Sequence, residues 1–182
     1  MIIKKKFFEI DLPLINQKAY LLATSEEELI GKTIKIDLTR KLRGKSLEVI
    51  FKIESKGKAI PRRLNLIGYF IRRVIRKGTD YVEDSFSCES KNALLRIKPF
   101  LITRQKVSRA IRKALRKKAR EEIQLELKNK DYEEIFLELI SNKFQRALSL
   151  KLKKIYPLAF CDIRDIFVEK LQELKIEEEK VK

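Results

Sequence analysis

The chain has 182 residues, with 43 Lys and Arg against 26 Asp and Glu, a formal net charge of +17 at pH 7 and a sequence pI of about 9.9. A hydrophobic fraction of 44% excludes a disordered basic tail, and the complete absence of His removes the general base of most hydrolases. Only two cysteines, Cys88 and Cys161, are present and they form no CxxC pair, so we predict reduced, buried thiols of an intracellular protein and no zinc site.

The N-terminal segments predict a strand and one short helical turn. The sequence IKKKFFEIDL, residues 3–12, contains β-favouring Ile and Phe, and Pro13 interrupts it. Ser25 followed by Glu28 matches the capping box of a helix, and Gly31 indicates that this helix ends after a single turn.

Apolar and polar residues then alternate in two segments, which is typical of half-buried strands. Residues 33–38 (TIKIDL) and 47–53 (LEVIFKI) each place their apolar side chains on one face, and Gly44 marks the bend between them. Residues 59–70 (AIPRRLNLIGYF) predict a further strand that Pro61 disturbs.

The hydrophobic period changes at residues 68–77 (GYFIRRVIRK). Apolar residues occupy one face of the predicted helix and four cations the other, and Gly78 ends the helix. Residues 79–90 and 93–102 predict two more strands joined by a turn. We therefore expect an antiparallel sheet that curls or closes.

Three helices are predicted after this β-rich part. The first begins at Thr103, a candidate N-cap, and continues to about the end of LELK. The second covers 132–140, where Asp131 and Glu134 form a capping box. The third, KFQRALSLKLKKI, is stopped by Pro157.

The last predicted element is a strand. The segment FCDIRDIFV, residues 160–168, is β-branched and aromatic and predicts a strand that returns to the sheet. The fold class is therefore α+β: a curled antiparallel sheet or β-barrel of about 5–7 strands, then helices, then the returning strand. We expect the whole chain to be one unit, with a β-rich part (3–102), a helical part (103–156), the returning strand (158–170) and a loose charged tail (172–182).

The first of the three helices combines an apolar stripe with a strongly basic face. Residues 103–120 (TRQKVSRAIRKALRKKAR) hold nine Lys or Arg and no Asp or Glu. On a helical wheel, seven of these cations share an arc of about 140°, opposite the apolar stripe. Such a face binds polyanions, and nucleic acid is the first candidate.

Basic residues cluster at five places along the chain, which favours burial in folded RNA over one recognition element in a DNA groove. Aromatic residues fall mostly in apolar stripes, so phosphate contacts and RNA shape are expected to dominate over base reading. No catalytic, metal-binding or cofactor-binding set is predicted. The candidate RNA-binding residues are Lys4, Lys5, Lys6, Arg40, Lys41, Arg43, Arg62, Arg63, Arg72, Arg73, Arg76, Lys77, Arg104, Lys106, Arg109, Arg112, Lys113, Arg116, Lys117 and Arg120.

Four segments, taken in order, carry a family resemblance. They are LIGKTIKIDL (29–38), GYFIRRVIRKGTDYVEDSF (68–86), RIKPFLITRQKVSRAIRKALRKKARE (96–121) and LSLKLKKIYPLAFCDIRDIFVEKL (148–171). The chain resembles the small-subunit ribosomal protein family of archaea and eukaryotes called S-one-e, or S-three-a in older usage. The long basic extensions of eukaryotic members are missing, so an archaeal-type form is expected.

The resemblance implies a structural constituent of the small ribosomal subunit, on its platform near the messenger exit, without enzymatic activity or a cofactor. The implied partners are small-subunit rRNA, neighbouring small-subunit ribosomal proteins, and messenger RNA or initiation factors near the exit. The implied location is cytoplasmic and ribosome-bound, and the sequence has no run of about 18 apolar residues that would predict a membrane span.

Two other functions stay open at this point. A free basic RNA- or DNA-binding protein, chromatin-associated or regulatory, would use the same charge and is expected to bind duplex DNA as a symmetric dimer. A nuclease without His would need carboxylates and a metal ion, and Asp162 with Asp165 is the pair that such a nuclease would use.

Overall fold

The computed structural model describes residues 5–42, 44–55 and 57–171, which form an α+β fold with a mixed, open sheet. The strands of this described part are β1 Lys6–Leu12, β2 Gln17–Ala23, β3 Thr33–Asp37, β4 Leu47–Ser55, β5 Lys58–Leu66, β6 Tyr81–Glu83, β7 Phe86–Glu89, β8 Ala93–Thr103 and β9 Leu158–Leu171. Its helices are α1 Gly68–Val74, α2 Arg109–Leu127, α3 Tyr132–Ile140 and α4 Lys143–Leu152, and the 3₁₀ turns are Pro13–Ile15 and Glu27–Leu29.

The C-terminal strand β9 lies in the middle of the sheet. It pairs antiparallel with β5 on one side and along the length of β8 on the other. Strands β4 and β3 continue the sheet beyond β5, and β6 and β7 pair with successive parts of β8. The predicted α+β class and the returning strand are confirmed.

The β1–β2 hairpin joins the sheet at its other end. Among the described residues, it pairs with β5 only at Asp11, opposite Lys58, and this pair is parallel, which makes the sheet mixed. The sheet therefore stays open rather than closing into a barrel, and the described residues form nine strands where about 5–7 were predicted. Strand β2 had no predicted counterpart, because its exposed face carries Tyr20 and Leu22 and its sequence QKAYLLA therefore shows no alternation of apolar and polar residues.

Strand β5 continues through Pro61 because the pairing with β4 contains a bulge. Arg63 lies opposite Ile50 and Pro61 opposite Phe51, so Arg62 is the extra residue between them. A bulge removes the need for a ladder hydrogen bond where proline has no N–H. The predicted disturbance at Pro61 is thus confirmed, and the strand survives it.

The helices α2, α3 and α4 pack on the sheet and on one another. Helix α4 lies against β9, α2 against β6 and β7, and α3 against β5. A continuous cluster of buried apolar side chains runs from β1 through the sheet to the ends of α2 and α4. Burial of this cluster supplies the main driving force for folding.

Helix α2 begins at Arg109, so the prediction of a start at Thr103 is wrong. Thr103 is the last residue of β8, and its hydroxyl hydrogen-bonds the carbonyl oxygens of Asp80 and Gln105. Ser108 is the N-cap, whose Oγ accepts from the Ile111 amide. The longer β8 satisfies its backbone against β9, which the local N-cap pattern could not reveal.

Two further boundaries differ from those predicted. Residues 79–90 form two short strands, β6 and β7, rather than one. Ser25 does not cap the turn Glu27–Leu29; instead, the Glu28 carboxylate accepts from the Thr24 amide and from Lys32. Helix α3 has the predicted bounds.

Candidate nucleic-acid interface

The buried stripe of α2 fixes which of its cations face outward. Leu115, Ala119, Ile123 and Leu127 recur every four residues and are all buried. The opposite side of the helix is exposed and strongly basic. Its exposed cations are Arg109, Lys113, Arg116, Lys117 and Arg120.

Two of these cations also hold α2 on the sheet. The guanidinium of Arg120 donates two hydrogen bonds to the Asp84 carboxylate, at 3.1 and 3.0 Å, and lies 5.2 Å from the centre of the Phe86 ring. Arg116 donates from Nε to the Glu83 carbonyl at 3.1 Å. Their charge is partly committed within the protein, so they bind a polyanion less freely than their neighbours.

Three exposed cations of α2 make no hydrogen bond and no ion pair closer than 4.0 Å within the described part of the chain. Arg109 and Lys113 make no ion pair there, and Lys117 lies 4.0 Å from Glu121, at the limit of an ion pair. Arg112 is half-buried, and its Nε finds no acceptor among the described residues. We define Arg109, Lys113 and Lys117 as the free basic face of α2.

Helix α1 carries the second basic surface. Phe70 and Ile71 bury its apolar side, whereas Arg72 and Arg73 are exposed. Arg76 and Lys77, which the sequence pattern placed in the same helix, follow it as exposed residues of the turn that contains Gly78. Gly78 has φ +83°, a conformation that other residues adopt only with strain.

Hydrogen bonds between two loops bring the end of α1 close to the start of α2. The Asp80 amide donates to Thr103 Oγ1 at 3.1 Å, and the Thr103 amide donates to the Asp80 carbonyl at 2.9 Å. The Asp80 carboxylate also accepts from the Val107 amide at 2.9 Å. Arg104 and Lys106, which are both exposed, lie between Thr103 and the start of α2. The basic segments of α1 and α2 are therefore next to each other.

The two arginines of β5 are engaged in ion pairs within the protein. Arg62 pairs with Glu54 at 2.7 Å. Arg63 donates two hydrogen bonds of 2.8 Å to Asp165, which raises the pKa of the Arg63 guanidinium. Asp165 also accepts from Lys98 at 3.0 Å. Arg63 and Lys98 neutralise the buried carboxylate of Asp165, which leaves little of their charge for RNA.

The remaining predicted residues do not join the α1–α2 surface. Lys5 and Lys6 lie at the start of β1, and the β1–β2 hairpin is at the opposite end of the sheet from β6. Arg40 is exposed, and Lys41 donates to the Ile15 carbonyl at 3.4 Å. Lys4, Arg43 and the predicted loose tail 172–182 lie outside the described residues.

Four exposed cations near α4 were not predicted. Lys143 and Arg146 lie on α4, and Lys153 and Lys154 follow its last residue. None of them makes an ion pair within residues 5–42, 44–55 and 57–171. The run KLKK was the signal for Lys153 and Lys154, whereas Arg146 becomes notable only because the fold places it beside a cavity.

The comparison with known families decides what kind of protein carries these surfaces. The model of the Ribosomal S3Ae family matches residues 2–172. The chain belongs to this ribosomal protein family. The protein is also 28% identical over 177 residues to the Small ribosomal subunit protein eS1 of Nanoarchaeum equitans (strain Kin4-M), a match that covers 91% of this chain and 89% of that relative.

Membership of the S3Ae family confirms the resemblance drawn from the sequence and gives the protein a structural, non-enzymatic role. The acidic pair on β9, which a nuclease without His would use, is engaged in ion pairs within the protein. Asp165 is bound by Arg63 and Lys98, and Asp162 by Lys45 at 2.8 Å. Within the part of the chain that is described, no three metal-ligating side chains come together.

The two cysteines of this S3Ae-family protein are free thiols; Cys88 is buried as predicted, whereas Cys161 is half-buried. Desolvation raises the pKa of each thiol, that of Cys161 to about 12. Among the helices that the structure describes, none is long and apolar enough to cross a membrane.

Proposed function

We propose that this S3Ae-family protein is a structural constituent of the small ribosomal subunit that binds rRNA through its phosphates and its shape. The observation that carries the proposal is the joined basic surface of α1 and α2. Apart from Arg120, which pairs with Asp84, its outward cations have no acidic partner closer than 4.0 Å among the described residues, in a chain of net charge +17. The name of the archaeal relative supports the choice of the small subunit.

The physical reason for rRNA as partner is the distribution of this charge. An unneutralised basic surface destabilises the isolated fold through self-repulsion, and a bound polyanion removes that cost. Each phosphate neutralised by Lys or Arg releases counterions, so affinity falls steeply with salt. The free basic face of α2 can make such contacts without breaking any contact that holds the fold together.

Protein neighbours are part of the same proposal. Phe7 and Leu22 are paired across the β1–β2 hairpin and are 72% and 51% exposed, and Tyr20 is 63% exposed. Large apolar side chains of this kind mark a surface that another protein covers. Neighbouring small-subunit proteins are the partners proposed for this hairpin, whose Glu9 and Lys18 pair with each other.

We further propose the platform near the messenger exit as the site of assembly, where messenger RNA or initiation factors would be additional partners. The location is then cytoplasmic and ribosome-bound. This finer placement rests on the resemblance to the family rather than on a residue contact.

The experiment is a binding titration of the purified chain with small-subunit rRNA and with duplex DNA of mixed sequence, at several salt concentrations. We expect the protein to bind rRNA as a monomer, with a negative slope of log K against log salt, and to prefer rRNA over the duplex. Equal binding to both, or a dimer on DNA, would favour a free chromatin or regulatory protein instead.

A further inference from the structure

A groove opens where α1, the start of β9 and α4 meet. It consists of two adjoining cavities of about 340 and 570 Å³, which share Gly44, Phe70, Ala159 and Phe160 in their linings. This groove is next to the α1–α2 surface, because Arg73, Arg76 and Thr79 line its larger part.

Aromatic rings form one wall of the groove. Phe70 and Phe160 meet edge to face, with ring centroids 5.9 Å apart, and Phe100 contacts Phe160 from behind at 6.3 Å. Phe70 is buried, whereas Phe160 remains partly exposed and therefore offers ring surface to the groove. The ring of Phe160 is held in place by its two neighbours.

Cations form the rim. Arg73 lies 5.8 Å from the centre of the Phe70 ring, and Arg76 and Arg146 stand exposed at the two ends of the groove. None of the three makes an ion pair within the described segments of the chain. The only carboxylate in either lining, that of Asp162, is already neutralised by Lys45.

The floor beside α4 is polar and rigid. Lys45, 8% exposed, donates to Asn142 Oδ1 at 2.9 Å and pairs with Asp162, 3% exposed. Gln145 donates from Nε2 to Asp162 at 3.0 Å and to the Leu139 carbonyl at 2.9 Å. Ser149 also lines this cavity, and its hydroxyl makes no hydrogen bond to another described residue, which leaves it free to bind a ligand.

We propose that this groove binds one unstacked nucleotide of single-stranded RNA. Its base lies against the Phe160 ring, and its flanking phosphates are bound by Arg73, Arg76 and Arg146. Stacking of a base on an aromatic ring together with Arg–phosphate contacts is the usual chemistry of single-strand recognition. The proposal deepens the proposed rRNA binding and rests on it, and it adds a base contact where the sequence predicted recognition by phosphates and shape alone.

The occupant is RNA rather than an acidic peptide or free phosphate because of the ring beside the cations. A carboxylate or phosphate would use the rim and leave the Phe160 face uncovered. A duplex keeps its bases stacked and cannot insert one without breaking a base pair. An unpaired nucleotide uses the ring, the rim and the Ser149 hydroxyl together.

The test compares a short single-stranded oligoribonucleotide with an RNA duplex of the same length and with inorganic phosphate. Phe160→Leu keeps an apolar side chain but removes the ring. We expect it to weaken binding of the single strand by about tenfold and to leave binding of the duplex unchanged. The pair Arg73→Gln with Arg146→Gln should weaken single-strand binding more than the charge-matched control pair Arg109→Gln with Lys113→Gln.

Each variant is checked by thermal unfolding, and a second measurement does not depend on any substitution. An oligoribonucleotide containing 4-thiouridine, cross-linked to the wild-type chain by light, should label a peptide that contains Phe160. Labelling elsewhere only, unchanged affinity of a folded Phe160→Leu, or full displacement of the oligonucleotide by inorganic phosphate would each overturn the nucleotide site while rRNA binding persists. Loss of all binding to small-subunit rRNA would instead overturn the proposed function.

Discussion

At the scale of single residues, the buried carboxylates of β9 show that some cations predicted to contact RNA also serve the fold. Asp165 is 3% exposed and accepts three hydrogen bonds, two from Arg63 and one from Lys98. Both cations also lie over the Phe167 ring, at 5.8 and 5.7 Å. A buried carboxylate is tolerated only with such partners, so Arg63, which was predicted to bind RNA, has a structural role on β5 as the partner of Asp165.

Replacing Asp165 tests this account. Asp165→Ala leaves two cations without their anion, and we expect the free energy of unfolding to fall by about 3 kcal/mol, the lower end of the range for broken buried pairs, because both cations are partly exposed. The matched control is Glu169→Ala, which removes the more exposed pair with Arg96 and should cost less than about 1 kcal/mol. Equal losses in urea titrations of the two variants would contradict the assignment.

The thiol of Cys161 gives a prediction about pH. Burial raises its pKa to about 12 in the folded protein, whereas an unfolded thiol titrates near about 8.5. The thiolate therefore forms more easily in the unfolded chain, so this contribution to stability is complete below about pH 8.5 and is lost as the pH rises towards 12.

Cys161→Ala should accordingly lose less stability than the wild type between pH 8 and pH 10. The measurement is the unfolding free energy of both proteins at the two pH values, because titration of Lys and Tyr side chains cancels in the comparison. Parallel pH profiles would show that the Cys161 thiol is not desolvated in the folded protein.

At the scale of elements, the sequence predicted the presence of the helices correctly, but it did not predict the boundaries that depend on pairing with distant strands. Helix α3 has the predicted bounds, although the capping box from which it was predicted is absent: the Asp131 side chain makes no capping hydrogen bond, and the helix is fixed by the burial of its apolar side. The start of α2 was wrong because β8 continues to Thr103, where Asp80 binds it from another segment. The long-range pairing of β8 with β9 determines where β8 ends and α2 begins. The local sequence around Thr103 does not indicate this pairing.

The free basic face of α2 predicts a measurable change in salt dependence. Arg109→Gln with Lys113→Gln and Lys117→Gln removes three cations that the fold does not use. We expect folding to be unaffected, affinity for small-subunit rRNA to fall, and the slope of log K against log salt to decrease by about 2–3.

The matched control removes the same charge from cations that already have acidic partners. Lys18, Lys32 and Lys35 pair with Glu9, Glu28 and Glu48 near the β1–β2 end of the molecule. Their replacement by Gln should change the salt slope much less than the α2 variant does. Identical slopes for the two triple variants would mean that net charge, and not the α2 face, drives binding.

At the scale of the whole molecule, the sequence indicated a polyanion partner, but it could not show which cations are exposed and which are paired within the protein. Net charge and clustering predicted rRNA binding, and the segments resembling a ribosomal family were confirmed by the match to residues 2–172. Which of the clustered arginines face outward depends on ion pairs such as Arg120 with Asp84, which join residues far apart in the chain. The groove beside Phe160 could not be predicted from the sequence for the same reason, since α1, α4 and β9 meet only in the folded protein.

The central claim is that this S3Ae-family protein is an integral, RNA-bound part of the small ribosomal subunit. Its most direct test is sedimentation of native cell lysate through density gradients of increasing salt, with the protein detected in every fraction. We predict that it sediments with the small subunit at low salt and is released only at high salt, because phosphate contacts hold it. A protein found mostly at the top of the gradient at low salt would contradict the account.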